Sequence, residues 1–191
     1  MGQPPLTVKR WKRAEYERLV DLGVFAGDPV ELIGGYLMVA EPQNSPHATA
    51  LGAADDALRA VLPPGFIVRA QMPMALDDDS APEPDLAVVS GRRADYGRGH
   101  PTRAVLVVEV ADSSLQFDRR DKGSLYARAR IAEYWIVNLI DRVVEVHRDP
   151  AADSTAPHGW AYRSVSRLAP PSVVTLVALP SVQVRVGDLL G

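Results

Sequence analysis

Two carboxylates stand where a folded chain has little use for a bare charge. Glu109 lies within Val105-Leu106-Val107-Val108-Glu109-Val110, a segment otherwise wholly aliphatic. Side chains alternate along a strand, so Val105, Val107 and Glu109 share one face, and Leu106, Val108 and Val110 the other. Both faces are apolar, as in a central strand. A buried carboxylate is costly unless it is paired, hydrogen-bonded or bound to a metal, so Glu109 needs a partner. The second acid, Asp85, follows Pro84 and opens the strand Leu86-Ala87-Val88-Val89. If the two strands are neighbours, Asp85 and Glu109 meet at one sheet edge, and a divalent cation relieves their repulsion. Magnesium suits such a site, because it takes oxygen ligands and keeps water for chemistry. Asp118 and Lys122 are four residues apart on the helix that should follow, hence on one face. If that face packs beside the carboxylates, the Lys122 ammonium can hold an attacking water or a phosphate, and Tyr126 continues the same row into the pocket. Each residue also has a plainer reading alone: Asp85 as a turn residue, Asp118 and Lys122 as an exposed helix pair.

The elements that must position these groups are legible in outline. Thr7 can cap a helix to about Leu22, with Trp11, Leu19 and Leu22 inward. Gly34-Gly35 between Val30–Ile33 and Tyr36–Ala40 marks a hairpin. Ser45-Pro46 reads as an N-cap with proline at the first helical position, opening a helix that Pro63-Pro64-Gly65 stops after Leu62. Phe66–Arg69 and Met72–Leu76 read as a broken strand pair, followed by an acidic turn at Asp77–Ser80. After Asp85–Val89 comes a polar loop, 90–103, and then the buried strand Val105–Val110. A helix over about Leu115–Arg130 leads to strands Glu133–Leu139 and Val143–Arg148. The tail holds three strand-like pieces, Trp160–Val165, Val173–Leu179 and Val182–Val186. Strands outnumber helices, which implies an α/β or α+β fold, a sheet covered by a few helices. One domain over 1–191 is expected, with a core at about 7–150 and a C-terminal β extension at about 159–191.

Composition excludes several classes. The 191 residues contain no cysteine, which rules out disulfides, thiolate zinc sites and a cysteine nucleophile. This fits a reducing cytoplasm, the expected location. The first residues show no secretory h-region, and the Met1-Gly2 start lacks the serine or threonine of a myristoylation signal, having Leu6 there. The apolar runs are too short to span a bilayer, so no membrane partner is expected. The net charge of −3 gives no global attraction to nucleic acid. Only three of 21 basic residues are lysines, Lys9, Lys12 and Lys122. His100, His147 and His158 show no zinc-ligand spacing.

Pro84-Asp85, then Glu109 in an apolar strand, then a lysine, resembles the PD-(D/E)XK nuclease superfamily. More closely, the chain resembles that superfamily's Uma-two family. The matching strings are ELIGGYL at 31–37, SPH at 45–47, PEPDLAVV at 82–89, VVEVADSS at 107–114, FDRRDKGSLYA at 117–127 and EYWIVN at 133–138. They cover roughly residues 10–150 in the family's order. The resemblance implies a restriction-endonuclease-like central mixed sheet flanked by helices. It implies Mg2+ (or Mn2+) held by Asp85 and Glu109, helped by the Val110 carbonyl, and DNA phosphodiester hydrolysis by an activated water. It adds Glu31 as an acid assisting the metal or its water, and Gln71 and His47 as residues near the site. The superfamily pattern has lysine two residues after the glutamate; here that position is Ala111, and Lys122 on the following helix replaces it, as in Uma-two members.

DNA is the expected partner. Arg92, Arg93, Arg98 and Arg103 in the loop joining the two acid-bearing strands, with Arg119 and Arg120 on the helix, are the candidate phosphate contacts. Two-strand cutting favours a homodimer. Two rivals stand beside an endonuclease: an inactive nuclease-like module that binds DNA or protein, and a metal-free hydrolase using paired acids on sugars.

Overall fold

The computed structural model describes residues 7–40 and 42–191. Met1–Leu6, on which the leader and acylation readings rest, lie outside the described residues. The chain runs α1 (Arg13–Asp21), β1 (Val30–Ile33), β2 (Tyr36–Val39), α2 (Ser45–Val61), β3 (Phe66–Ala70), β4 (Leu86–Ser90) and β5 (Leu106–Ala111). One continuous helix, α3, follows, built from Leu115–Phe117, Asp118–Lys122 and Gly123–Arg128. Then come β6 (Glu133–Asn138), β7 (Val143–Ala152), β8 (Trp160–Leu168), β9 (Val173–Thr175), β10 (Gln183–Arg185) and the short α4 (Val186–Leu189).

Six strands make the central sheet in the order β3-β4-β5-β6-β7-β8. Only β5 and β6 are parallel, joined by α3 as crossover; the remaining neighbours are antiparallel. The sheet is therefore mixed, as expected. One face carries Leu86, Val88, Leu106, Val108, Val110, Trp135 and Val137, packed beneath α2 and the β9–β10 hairpin with α4. Helix α2 meets it through Ala50, Ala54 and Leu58, spaced four apart, so the helix lies close. The other face carries Ala87, Val89, Val107, Ala111, Tyr134 and Ile136 under α3. Glu109 belongs to this second face by alternation.

Several boundaries differ from the sequence reading. Helix α1 begins at Arg13, not Thr7, because Lys12 is extended and the Trp11 N–H donates to the Gly35 carbonyl. Its buried residue is Tyr16; Leu22 is exposed. The cap of α2 is Asn44, whose side chain accepts the His47 N–H, with Pro46 one place later than expected. Met72–Leu76 form no strand: Gln71 takes a positive φ of 50° and turns the chain out of the sheet. The tail is less of an appendage than expected. Strand β8 pairs along β7, and Val174, Leu176, Val184 and Leu189 fill the first core.

The hairpin β1–β2 turns at Gly34 and Gly35, both with positive φ, 55° and 84°. A two-residue turn of that kind matches the twist of the strands it joins. In α3 the middle turn is wider than an α-helix, with the Gly123 N–H reaching the Asp118 carbonyl five residues back. A Cβ at Gly123 would stand 3.2 Å from that oxygen, so glycine permits the close approach. The wide turn leaves both Asp118 and Lys122 facing the sheet, and both are buried.

Candidate active site

The register Leu86 opposite Val108 carries Asp85 to the level of Glu109. Each acid accepts a backbone N–H from the other's strand or its approach. The Asp85 N–H donates to Glu109 Oε2 at 3.3 Å, and the Val110 N–H donates to Asp85 Oδ2 at 2.8 Å. A strand residue's N–H and C=O point the same way. The Val110 carbonyl therefore faces the Asp85 side, where β4 has already ended.

Helix α3 supplies the next layer. Lys122 Nζ donates to Glu109 Oε1 at 3.1 Å, and the Tyr126 hydroxyl donates to the same oxygen at 2.6 Å. Glu31, from β1, lies 3.6 Å from Lys122 Nζ, and its other oxygen accepts the Glu83 N–H. Asp118 is 2% exposed and, among the described residues, takes a bond only from Ser114 Oγ. His47, in the first turn of α2, brings Nε2 to 3.3 Å from Asp85 Oδ1. Asp85, Glu109, Lys122, Glu31, Asp118 and His47 all line one cavity of about 550 Å³, with Val110 and Gln71 at its wall. The exposed Gln71 acts here through its backbone, its N–H donating to the Asp85 carbonyl. Tyr126 sits behind Glu109, fully buried.

Electrostatics follow from this crowding. Burial pushes Glu109 up to about 8, with Lys122 opposing and Asp85 and Asp118 adding to the shift. Burial likewise lifts Asp118 to about 6, against the pull of Lys122 and Ser114. Burial works against the Lys122 charge, yet Glu109, Glu31 and Asp118 outweigh it and hold its pKa above the usual lysine value. The hydrogen bond with Asp85 raises His47. The site thus carries a fixed ammonium amid a surplus of carboxylate.

The arginines gather elsewhere. Asp85 precedes β4 and Glu109 nears the end of β5, whereas the loop with Arg92, Arg93, Arg98 and Arg103 joins the opposite ends of these strands. A five-residue strand is roughly 17 Å long, so this loop lies at the far end of the two strands from the acids. The sequence order shows that the loop connects the two strands but not which end it joins. Arg119 turns away to Glu145, with its Nε 2.9 Å from Oε2. Arg120 is exposed and does not line the cavity. Sequence reasoning missed Glu83, Asn44 and the apolar wall of Val30, Met38, Val39 and Phe117. The hairpin was legible; that it closes over the acids was not.

A family described as "Putative restriction endonuclease", Uma2, matches residues 13–187. The chain belongs to the Uma2 family. Its sheet also resembles that of a solved structure described as "a putative nuclease belonging to DUF820 from Anabaena variabilis ATCC 29413". The two superpose with a TM-score of 0.63 over 84% of this chain and 89% of the other, at 14% identity, a likeness of fold. No curated protein sequence matches the chain. Uma2 membership supports a nuclease, and among the described residues no helix is long and apolar enough to cross a membrane.

Proposed function

We propose that this Uma2 chain is a Mg2+- or Mn2+-dependent endonuclease that hydrolyses DNA phosphodiester bonds at the Asp85–Glu109–Lys122 site. The observation that carries the reading is a buried ammonium bonded to one of two carboxylates that meet at a strand end and open on a cavity. Among the described residues no group of three or more His, Asp and Glu side chains is arranged as a metal cage. The donor set is instead two carboxylates and the Val110 carbonyl. All are oxygens, which fits a hard cation that keeps part of its water shell. Burial dominates the upward shift of Glu109, with Asp85 and Asp118 adding to it against Lys122, and a divalent cation would favour the charged form. When bound, such an ion supplies Lewis acidity and charge neutralisation at the scissile phosphate.

The chain's own groups do the rest. Tyr126 and Lys122 saturate Glu109 Oε1, which leaves Oε2, with its single 3.3 Å contact, turned to the ligand side. His47 and the Val110 N–H orient Asp85. Lys122 offsets charge on the phosphate or orients the attacking water. In the reaction a water oxygen bonds to phosphorus, the bond from phosphorus to the leaving sugar oxygen breaks, and that oxygen ends protonated at the expense of the water.

The test is cleavage of plasmid DNA with Mg2+ or Mn2+ by the protein and by Asp85→Asn, Glu109→Gln and Lys122→Met. Metal-dependent nicking lost in all three variants is expected. Absence of cleavage with either metal across DNA forms would transfer the reading to the inactive binding module. Activity that survives all three substitutions would remove the site.

A further inference from the structure

We infer that this site takes its substrate as an unpaired DNA nucleotide, with the base against the β1–β2 hairpin and the phosphate on the carboxylates; this rests on the nuclease reading above. The first observation is depth. Glu109 is 2% exposed and Lys122 8%, so the scissile phosphate must come into the cavity to meet them. At about 550 Å³ the cavity has the size of a small-ligand pocket rather than of a groove for a double helix. A stacked, paired strand presents its phosphates on a stiff convex rod and cannot push one inward without unstacking. Enzymes that need a nucleotide in a recess flip it out or act on single strands.

The second observation is that the cavity has two unlike walls. Asp85, Glu109, Asp118 and Lys122 form one. In the other, Met38 of the hairpin, on the same face as Glu31, supplies apolar lining with Pro42 and Phe117, while Val30 and Val39 border the cavity from the hairpin's other face. A base offers an apolar face to such a wall whatever its identity, whereas a paired base is already covered by its neighbours.

The third observation is charge. Among the described lining residues no arginine appears; Lys122 and His47 are the cationic or potentially cationic groups, against Glu31, Glu83, Asp85, Glu109, Asp112 and Asp118. A surface that follows both backbones of a duplex presents rows of Lys and Arg to the phosphates. This one can accept a single phosphate, on a cation, and little more.

The experiment compares Mg2+-dependent cleavage of an end-labelled single-stranded oligonucleotide, the same sequence as a full duplex, and a duplex with a central unpaired bubble. The single strand and the bubble are expected to be cut about a hundredfold faster than the duplex, reflecting its unstacking penalty. Met38→Ala should raise KM for the single strand about tenfold at unchanged kcat. It should also weaken binding of that strand in fluorescence anisotropy with Ca2+ in place of Mg2+, whereas Val39→Ala, on the opposite hairpin face, should leave KM and binding unchanged. Duplex cut as fast as single strand overturns the inference and leaves the nuclease standing. Single-strand cutting indifferent to Met38→Ala, or equally impaired by Val39→Ala, overturns the base site. No metal-dependent cleavage of any of the three removes the underlying nuclease reading, and this inference with it.

Discussion

The tetrapeptide Val-Val-Glu-Val occurs twice, at 107–110 and at 143–146, and the two copies meet opposite fates. Glu109 pairs across to Ile136, and Ile136 to Glu145. The two glutamates therefore stand in one row on one face, two strands or roughly 10 Å apart. Each is 2% exposed. The same helix serves both: Lys122 reaches Glu109, and Arg119 reaches Glu145. Glu145 receives both arms of the Arg119 fork and the Asn138 amide. Burial would raise its pKa, but these bonds win and lower it. Glu109 receives an ammonium, a phenol and one long backbone bond, and burial pushes it up to about 8. A saturated acid is structural; an acid with capacity to spare, facing a cavity, is available for chemistry. Buried charge alone does not separate the two.

The comparison breaks or sharpens in a definite order. The largest effect is expected from Glu109→Gln or Lys122→Met. Each should lower metal-dependent cleavage by about a hundredfold or more, the scale of losing a transition-state electrostatic group; Glu109→Gln should do so without loss of thermal stability, whereas Lys122→Met strands a buried carboxylate and should lower stability as well. Glu145→Gln should do the reverse. It leaves Arg119 only the 3.9 Å approach of Asp141 and should cost about 2 kcal/mol in denaturant unfolding, with cleavage rates retained in the folded fraction. If Glu145→Gln abolished cleavage while leaving stability intact, the contrast drawn between the two acids would be wrong.

The next effect belongs to His147, buried on the saturated side with its Nε2 unbonded and its ring 5.4 Å from Tyr134 and 5.9 Å from Tyr162. Burial lowers it to about 4, against the attraction of Glu145. Between pH 6.5 and about 4 the unfolded chain binds a proton that the native chain refuses. Stability is therefore complete above pH 6.5 and falls as the pH drops through that window, by about 3 kcal/mol. Unfolding midpoints of His147→Phe against wild type should converge or cross there; parallel curves would count against a neutral buried imidazole.

On the cavity side the sign inverts. Asp118 is lifted to about 6, so from about pH 4 to 6 the native state binds the extra proton and stability declines as pH rises. Asp118→Asn should gain about 3 kcal/mol at pH 7 and nothing below pH 4, read from urea midpoints at both values. The smallest effect is expected from Tyr126→Phe. Glu109 then keeps Lys122 but loses the phenol, and cleavage should fall about tenfold, with a larger effect on kcat than on KM. Unchanged kcat would make Tyr126 a packing residue.

Much of the site was legible because its signals are local. Glu109 announces itself as a charge in an aliphatic strand, Asp85 by the proline before it, and the Asp118, Lys122 and Tyr126 row by spacing of four. The Gly34-Gly35 hairpin rests on backbone conformations those residues alone favour, and it formed where expected. The failures were of another kind. Thr7 is a sound cap, but the Trp11–Gly35 contact across the chain draws residues 7–12 into extended form. Met72–Leu76 has strand-like composition, but the turn at Gln71 removes it from the sheet.

The sequence alone determined which residues carry charge into the interior, the strand and helix periodicities around them, and the family resemblance that orders Asp85, Glu109 and Lys122. Tertiary structure alone decided which of two identical Val-Val-Glu-Val segments receives an arginine and which opens on a cavity, and which end of the sheet the arginine loop occupies. It also decided that the β1–β2 hairpin closes the far wall. The reason is physical: alternation and capping act over a few residues, whereas partner choice for a buried carboxylate depends on which distant side chains the packing of α3 on the sheet delivers within hydrogen-bond reach.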